Sequence, residues 1–324
     1  MLSLFSVFLA TIIINNFTVP SLHQDGFFSI QMKDVEERVF SNFKVKGILE
    51  FSPVELLQES KKEMGPKERA VSSSSPLEIK ARSAIVVDEG SRRTIFDKNI
   101  GKVSPIASMS KLMTALVFLD TDPDWESYYE ITSEDRREGG KIYLYLGERV
   151  KIIDIFNTSL SASANSATIA LVNSTGLGEE AFVEKMNEKA IDLGLMKTKF
   201  KDATGLSEEN ISTPWEISKL ISLALSRDEI KKALSLKGYN FKTEGGREKT
   251  IEPTDDLLNI FPIDGVDLIG GKTGYNDGAG FCFVGVFQKD NNNLITVIMG
   301  AEEESDRFDL AKELTFWVFD NYKW

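Results

Sequence analysis

Strand-like and helix-like runs are not interleaved along this chain. β-branched runs stand at the two ends of its folded part, and helical periodicity fills the stretch between them. Ser83-Ala84-Ile85-Val86-Val87-Asp88 reads as a strand, Glu89-Gly90-Ser91 as a turn, and Thr94-Ile95-Phe96 as the returning strand of a hairpin. Residues 266–300 are strand-like again. One strand carries Lys272, a second runs from Phe281 to Phe287 and a third from Leu294 to Met299, with the polar run Gln288 to Asn293 as the hairpin between the last two. Such a distribution implies an α+β fold, an antiparallel sheet with helices packed on it, and excludes the alternating pattern of a parallel βαβ sheet.

Residues 120–250 are expected to be mainly helical. Ser104-Pro105 offers an N-cap and a first helical position, followed by Leu112, Ala115, Leu116 and Leu119 at helical spacing. Val183, Met186, Ala190 and Leu193 trace one apolar face. Ile217, Leu220, Ile221 and Ala224 trace another, in a helix that Pro214 opens. From Ser305, the spacing of Phe308, Leu310, Leu314, Trp317, Val318 and Tyr322 predicts a closing helix.

The N-terminal part is different. Leu2 to Ile14 is an uncharged apolar run that suits the core of a secretory signal and is shorter than the ~18 residues that span a bilayer. Residues 1–20 are therefore expected to be a signal peptide or an N-terminal membrane anchor, and residues 21–76 an extension and linker. The linker is marked by Gly65-Pro66 and by Ser72 to Ser75 before Pro76. The folded body is placed at 77–324. A net charge of −12 gives no support for nucleic-acid binding, which usually shows a basic face. Cys282 is the single cysteine and lies in an apolar run, which suits a buried small hydrophobe.

Chemistry enters through a shortage. The chain has one histidine, His23, far from three signals that suggest a serine nucleophile: Ser108-Met109-Ser110-Lys111, Ser163-Ala164-Asn165 and Lys272-Thr273-Gly274. With imidazole out of reach, a serine needs another base, and the lysine three residues on shares its helical face. The single His and single Cys also argue against a His- or thiolate-bound metal site. Singly the motifs are weak, since S-x-x-K arises about twice by chance in such a composition and K-T-G roughly 0.1 times. Their order, and their placement at a helix start, a helix junction and a strand, gives them weight.

Ser108 is the candidate nucleophile, and Lys111 its base once burial and a nearby cation lower its pKa. Ser163 can relay a proton to a leaving amine, and Asn165 can orient Lys111 and a substrate amide. Lys272 and Thr273 offer a cation and a hydroxyl to a terminal carboxylate. Gly274 lets a substrate backbone lie along the strand edge, and the Tyr275 N–H can complete an oxyanion hole.

Residues 78–324 resemble the serine D-alanyl-D-alanine carboxypeptidases, the low-molecular-mass penicillin-binding proteins. Beyond the three motifs the likeness includes Leu112-Met113-Thr114-Ala115, Gly147-Glu148, Met186-Asn187, Gly205-Leu206, Thr213 and Ala279-Gly280-Phe281. The resemblance implies a five-stranded antiparallel sheet flanked by helices with an inserted helical subdomain, and it assigns Arg307 to the terminal carboxylate. It further implies an exported cell-envelope enzyme that trims peptidoglycan stem peptides ending in D-Ala-D-Ala, is inhibited by β-lactams and uses no metal or organic cofactor. Ser166 stands where the family usually has Asp, and Ala164 where Gly is common. A β-lactamase, a D,D-endopeptidase and a non-catalytic penicillin-binding sensor are the alternatives, and the N-terminus is the only place for membrane attachment.

Overall fold

The computed structural model describes residues 65–68 and 78–324. The expectations for residues 1–20 and for most of 21–76 lie outside the described residues. Five strands form the central sheet: β1 (Ala81–Asp88), β2 (Thr94–Lys98), β3 (Asp267–Gly274), β4 (Phe281–Lys289) and β5 (Asn292–Ala301). All pairs are antiparallel and the order is β3-β4-β5-β1-β2, so β3 is an edge strand. The β4–β5 hairpin is tighter than expected. Gln288 and Asn293 already pair across the ladder, and Asp290 and Asn291 turn the chain at φ of 49° and 64°. Residues of this type tolerate the left-handed region that such hairpin turns require.

Among the described residues there are eight helices: α1 (Lys111–Leu119), α2 (Ile152–Ser161), α3 (Asn165–Ser174), α4 (Glu179–Asp192), α5 (Pro214–Leu225), α6 (Asp228–Leu234), α7 (Leu257–Ile260) and α8 (Asp306–Asn321). α5 begins where Pro214 predicts, with the Thr213 hydroxyl accepting the Glu216 N–H at 3.2 Å. Its Ile217, Leu220, Ile221 and Ala224 are fully buried, in one core with Ile85, Val87, Val284 and Val297. The opposite face of the same strands, including Ala84, Val86, Phe283 and Ile298, packs against Phe308, Leu310, Leu314 and Val318 of α8. Burial on both faces explains why Ala84 to Val87 of β1 are apolar without a break instead of alternating.

Two local expectations give way to tertiary pairing. Ser104-Pro105 caps no helix: it forms a two-residue antiparallel ribbon with Ile211-Ser212, and the Ile106 N–H donates to Asn210 O at 2.9 Å. A 3₁₀ turn, Ala107–Ser110, then leads into α1. The middle of the chain, largely helical, also carries two short ribbons, Tyr128–Glu130 with Arg149–Lys151 and Tyr239–Lys242 with Glu248–Ile251. Within the expected linker, Lys67 and Glu68 pair with Lys323 and Tyr322. Cys282 is fully buried, and burial pushes its thiol pKa up to about 11.

Candidate active site

The turn that carries Ser108, the candidate nucleophile, is built by close approach of backbones. Ala107 holds φ of 46° just before Ser108, a strained value for a residue with a Cβ. Ser110 is fully buried; its hydroxyl donates to Ala107 O at 2.8 Å and accepts from Asn210 Nδ2 at 2.9 Å. That leaves Ser108, half-buried, as the hydroxyl of the motif that meets Lys111. Gly205, at φ of 88°, lies against this turn. A Cβ there would sit 2.0 Å from Ala107 O and 2.7 Å from Ser108 N, so only glycine fits. Gly274 meets it from the strand side, where a Cβ would come within 2.8 Å of Ile106 O. The sequence assigned Gly274 to substrate passage; packing against the nucleophile turn demands it as well.

Lys111 is fully buried, and its Nζ has three neighbours: Ser108 Oγ at 2.9 Å, Asn165 Oδ1 at 2.8 Å and Thr204 O at 2.6 Å. A neutral amine has two N–H donors and one lone pair. Asn165 Oδ1 and Thr204 O are acceptors only, so they take both donors and direct the lone pair at the Ser108 hydroxyl. Burial, and then the Lys272 charge, hold the Lys111 pKa well below the usual lysine range, with Asp202 opposing. The Asp202 carboxylate is occupied locally, accepting the N–H groups of Thr204, Gly205 and Ser207 and so shaping the turn that presents the Thr204 carbonyl.

Asn165 departs from expectation in one respect. Its carboxamide orients Lys111, but its NH2 group donates to Glu138 O and Gly139 O, both at 3.0 Å, and not to open space for a substrate amide. The 137–140 loop folds over α3 because Ser166 Oγ accepts the Arg137 N–H at 3.1 Å and Arg137 pairs with Glu179 at 2.6 Å. Ser166, which stands where the family usually has Asp, thus anchors the loop that fixes Asn165.

A second hydroxyl–lysine couple faces the first. Ser163, at φ of 55° in the turn between α2 and α3, accepts a hydrogen bond from Lys272 Nζ at 2.9 Å. Lys272 also bonds Thr273 O at 3.1 Å and is 1% exposed. Burial, and then the Arg307 charge, lower its pKa to about 7, with Asp255 opposing. Thr273 is buried, its hydroxyl 2.7 Å from that of Thr254. Tyr275 is exposed and stacks on Phe281 at 4.4 Å. Arg307, the second residue of α8, is buried over the rings of Phe308 and Phe281 at 4.6 and 5.5 Å, and pairs with Glu304 at 2.7 Å. Its Nε has no hydrogen-bond partner among the described residues.

Of the nine residues singled out from the sequence, Ser108, Lys111 and Asn165 form one hydrogen-bonded group and Ser163 and Lys272 a second, Gly274 packs on the Ser108 turn, Thr273 adjoins Lys272 on β3, and Tyr275 and Arg307 both lie against the Phe281 ring. Four participants were not foreseen. Thr204 contributes a backbone carbonyl, which no side-chain motif reports; the adjoining Gly205-Leu206 was the available hint. Asn210 and Thr254 are single polar residues without a pattern. Asp255 is a buried carboxyl whose pKa burial pushes up to about 7, with Oδ2 unpartnered among the described residues.

A five-stranded antiparallel sheet with an inserted helical subdomain, and two hydroxyl–lysine couples facing one cleft, define the fold of the penicillin-binding DD-peptidases. Residues 69–303 match the D-alanyl-D-alanine carboxypeptidase family, and the chain belongs to that family. It is 30% identical over 256 residues to the D-alanyl-D-alanine carboxypeptidase DacF of Bacillus subtilis, covering 77% of this chain and 64% of that one. To the D-alanyl-D-alanine endopeptidase of Escherichia coli it is 30% identical over 254 residues, covering 78% and 81%. Among solved structures, penicillin-binding protein D2 of Listeria monocytogenes, in its cefotaxime-bound form, superposes with a TM-score of 0.64 at 29% identity, covering 75% of this chain and 98% of that one.

Proposed function

We propose that this chain is a serine-type D-Ala-D-Ala carboxypeptidase that trims peptidoglycan stem peptides outside the cytoplasmic membrane. One observation carries the reading: the buried Lys111 amine, its two N–H groups occupied, directs its lone pair at Ser108 Oγ 2.9 Å away. Ser108 Oγ attacks the carbonyl carbon of the penultimate D-Ala while its proton passes to Lys111. The oxyanion is met by the N–H groups of Ser108 and Tyr275. As the C–N bond breaks, the departing D-Ala amine takes a proton through Ser163, and water then hydrolyses the Ser108 ester. Lys272, Thr273 and Arg307 hold the terminal carboxylate, and Asn165 keeps Lys111 in place. The carboxylate of a β-lactam fits the same groups, and its strained amide acylates the same serine.

Relatives bearing the carboxypeptidase and the endopeptidase names are equally similar to this chain, at 30% identity, so cleavage of cross-links is the second reading. The functional body is taken as residues 77–324, with residues 1–20 serving export or anchoring and 21–76 as a spacer. The test uses the purified chain with fluorescent penicillin and with a diacetyl-Lys-D-Ala-D-Ala peptide. Covalent labelling and D-Ala release, both lost in Ser108→Ala, support the reading. Labelling without release favours a sensor, fast destruction of penicillin without peptide cleavage a β-lactamase, and cleavage of cross-linked dimers alone the endopeptidase.

A further inference from the structure

Thr254 bridges the end of α2 and β3 from a loop that no motif marks. Its N–H donates to Ser161 O at 3.0 Å, at the end of α2 and two residues before Ser163. Its Oγ1 lies 2.7 Å from Thr273 Oγ1, a spacing in which either oxygen can donate. The direction matters, because a hydroxyl has one proton. If Thr273 donates to Thr254, it presents only lone pairs to an arriving carboxylate and repels it. If Thr254 donates to Thr273, the Thr273 proton stays available for that carboxylate, beside the cation of Lys272. Once the carboxylate is bound, the second arrangement makes two hydrogen bonds in series and the first makes one.

We propose that Thr254 is a positioning residue whose O–H donates to Thr273 Oγ1, aims the Thr273 proton at the substrate's terminal carboxylate, and so contributes to selection of peptides with a free carboxylate end. The inference rests on the carboxylate-binding role given above to Lys272 and Thr273, and it adds a residue that acts only through Thr273.

A double-mutant cycle on the full chain tests it, with diacetyl-Lys-D-Ala-D-Ala as substrate and kcat and KM read separately. Valine keeps the shape of threonine and the backbone bond to Ser161 while removing the hydroxyl. Thr254→Val raises KM by roughly tenfold, the scale of one hydrogen bond to a charged group, and leaves kcat unchanged. In a Thr273→Val background the same change has no further effect, because the partner is gone. Thr254→Ser restores the wild-type KM. Additive effects of the two valines, a fall in kcat at constant KM, or an unchanged KM in Thr254→Val each overturn the inference. A wild-type chain that releases no D-Ala at all overturns the functional reading, and this inference with it.

Discussion

Gly205→Ala probes how the Ser108 turn is held without altering any side chain assigned to the chemistry. At φ of 88° an alanine is strained, by about 1–3 kcal/mol. Its Cβ would fall 2.0 Å from Ala107 O, 2.3 Å from Ala107 C and 2.7 Å from Ser108 N, all backbone atoms that no rotamer change can clear. Relief requires the two backbones to separate by roughly 1 Å, which adds about 1–3 kcal/mol of overpacking. The sum, about 2–6 kcal/mol, lowers Tm by roughly 4–24 °C in a domain of this size. The same separation moves Ser108 from Lys111 and pulls Thr204 O, one residue before Gly205, from the amine it orients. A misplacement of about 1 Å costs on the order of 100-fold in the chemical step. The assay is the second-order rate of acylation by fluorescent penicillin, measured below the melting transition of the variant, beside a thermal melt. Acylation at the wild-type rate with an unshifted Tm would refute the claim that this glycine exists for backbone approach.

Lys111→Met keeps most of the side-chain volume and removes the base; acylation is expected to fall by about 10²–10⁴-fold with the fold retained, and a variant that labels at the wild-type rate would show that another base acts. The pH profile should show two limbs. Lys111 must be neutral to accept a proton, so the acylation rate rises as pH climbs through its lowered pKa. Lys272 loses its proton near pH 7, so KM for a carboxylate-terminated peptide rises as pH passes that value. The two lysines are coupled, because loss of the Lys272 charge also eases the depression of Lys111, and the limbs belong to the pair. A KM that stays flat across neutrality would contradict the place given to Lys272.

Much of this site could be read in one dimension because its groups are tied to local structure. The three-residue spacing of Ser108 and Lys111 works through one turn and the start of a helix. Pro214 and Thr213 start α5 by stereochemistry confined to a few bonds. Lys272 to Gly274 lie on a strand whose β-branched and apolar neighbours announce it. The expectation for Ser104-Pro105 failed for the opposite reason. A proline after a serine suits a helix start, but Ile211-Ser212, brought in from over a hundred residues away, offered the backbone a ladder partner instead.

The order of the motifs, the scarcity of histidine and the strand runs at both ends determined the architecture and the kind of nucleophile from sequence alone. The fold decided how those groups are tuned. The Lys111 amine takes its orientation from Asn165, 54 residues on, and from the Thr204 carbonyl, 93 residues on. Its lowered pKa comes from burial and from the charge of Lys272. Proton affinity depends on solvent exclusion and on distances between charges, and neither is a property of neighbours along the chain.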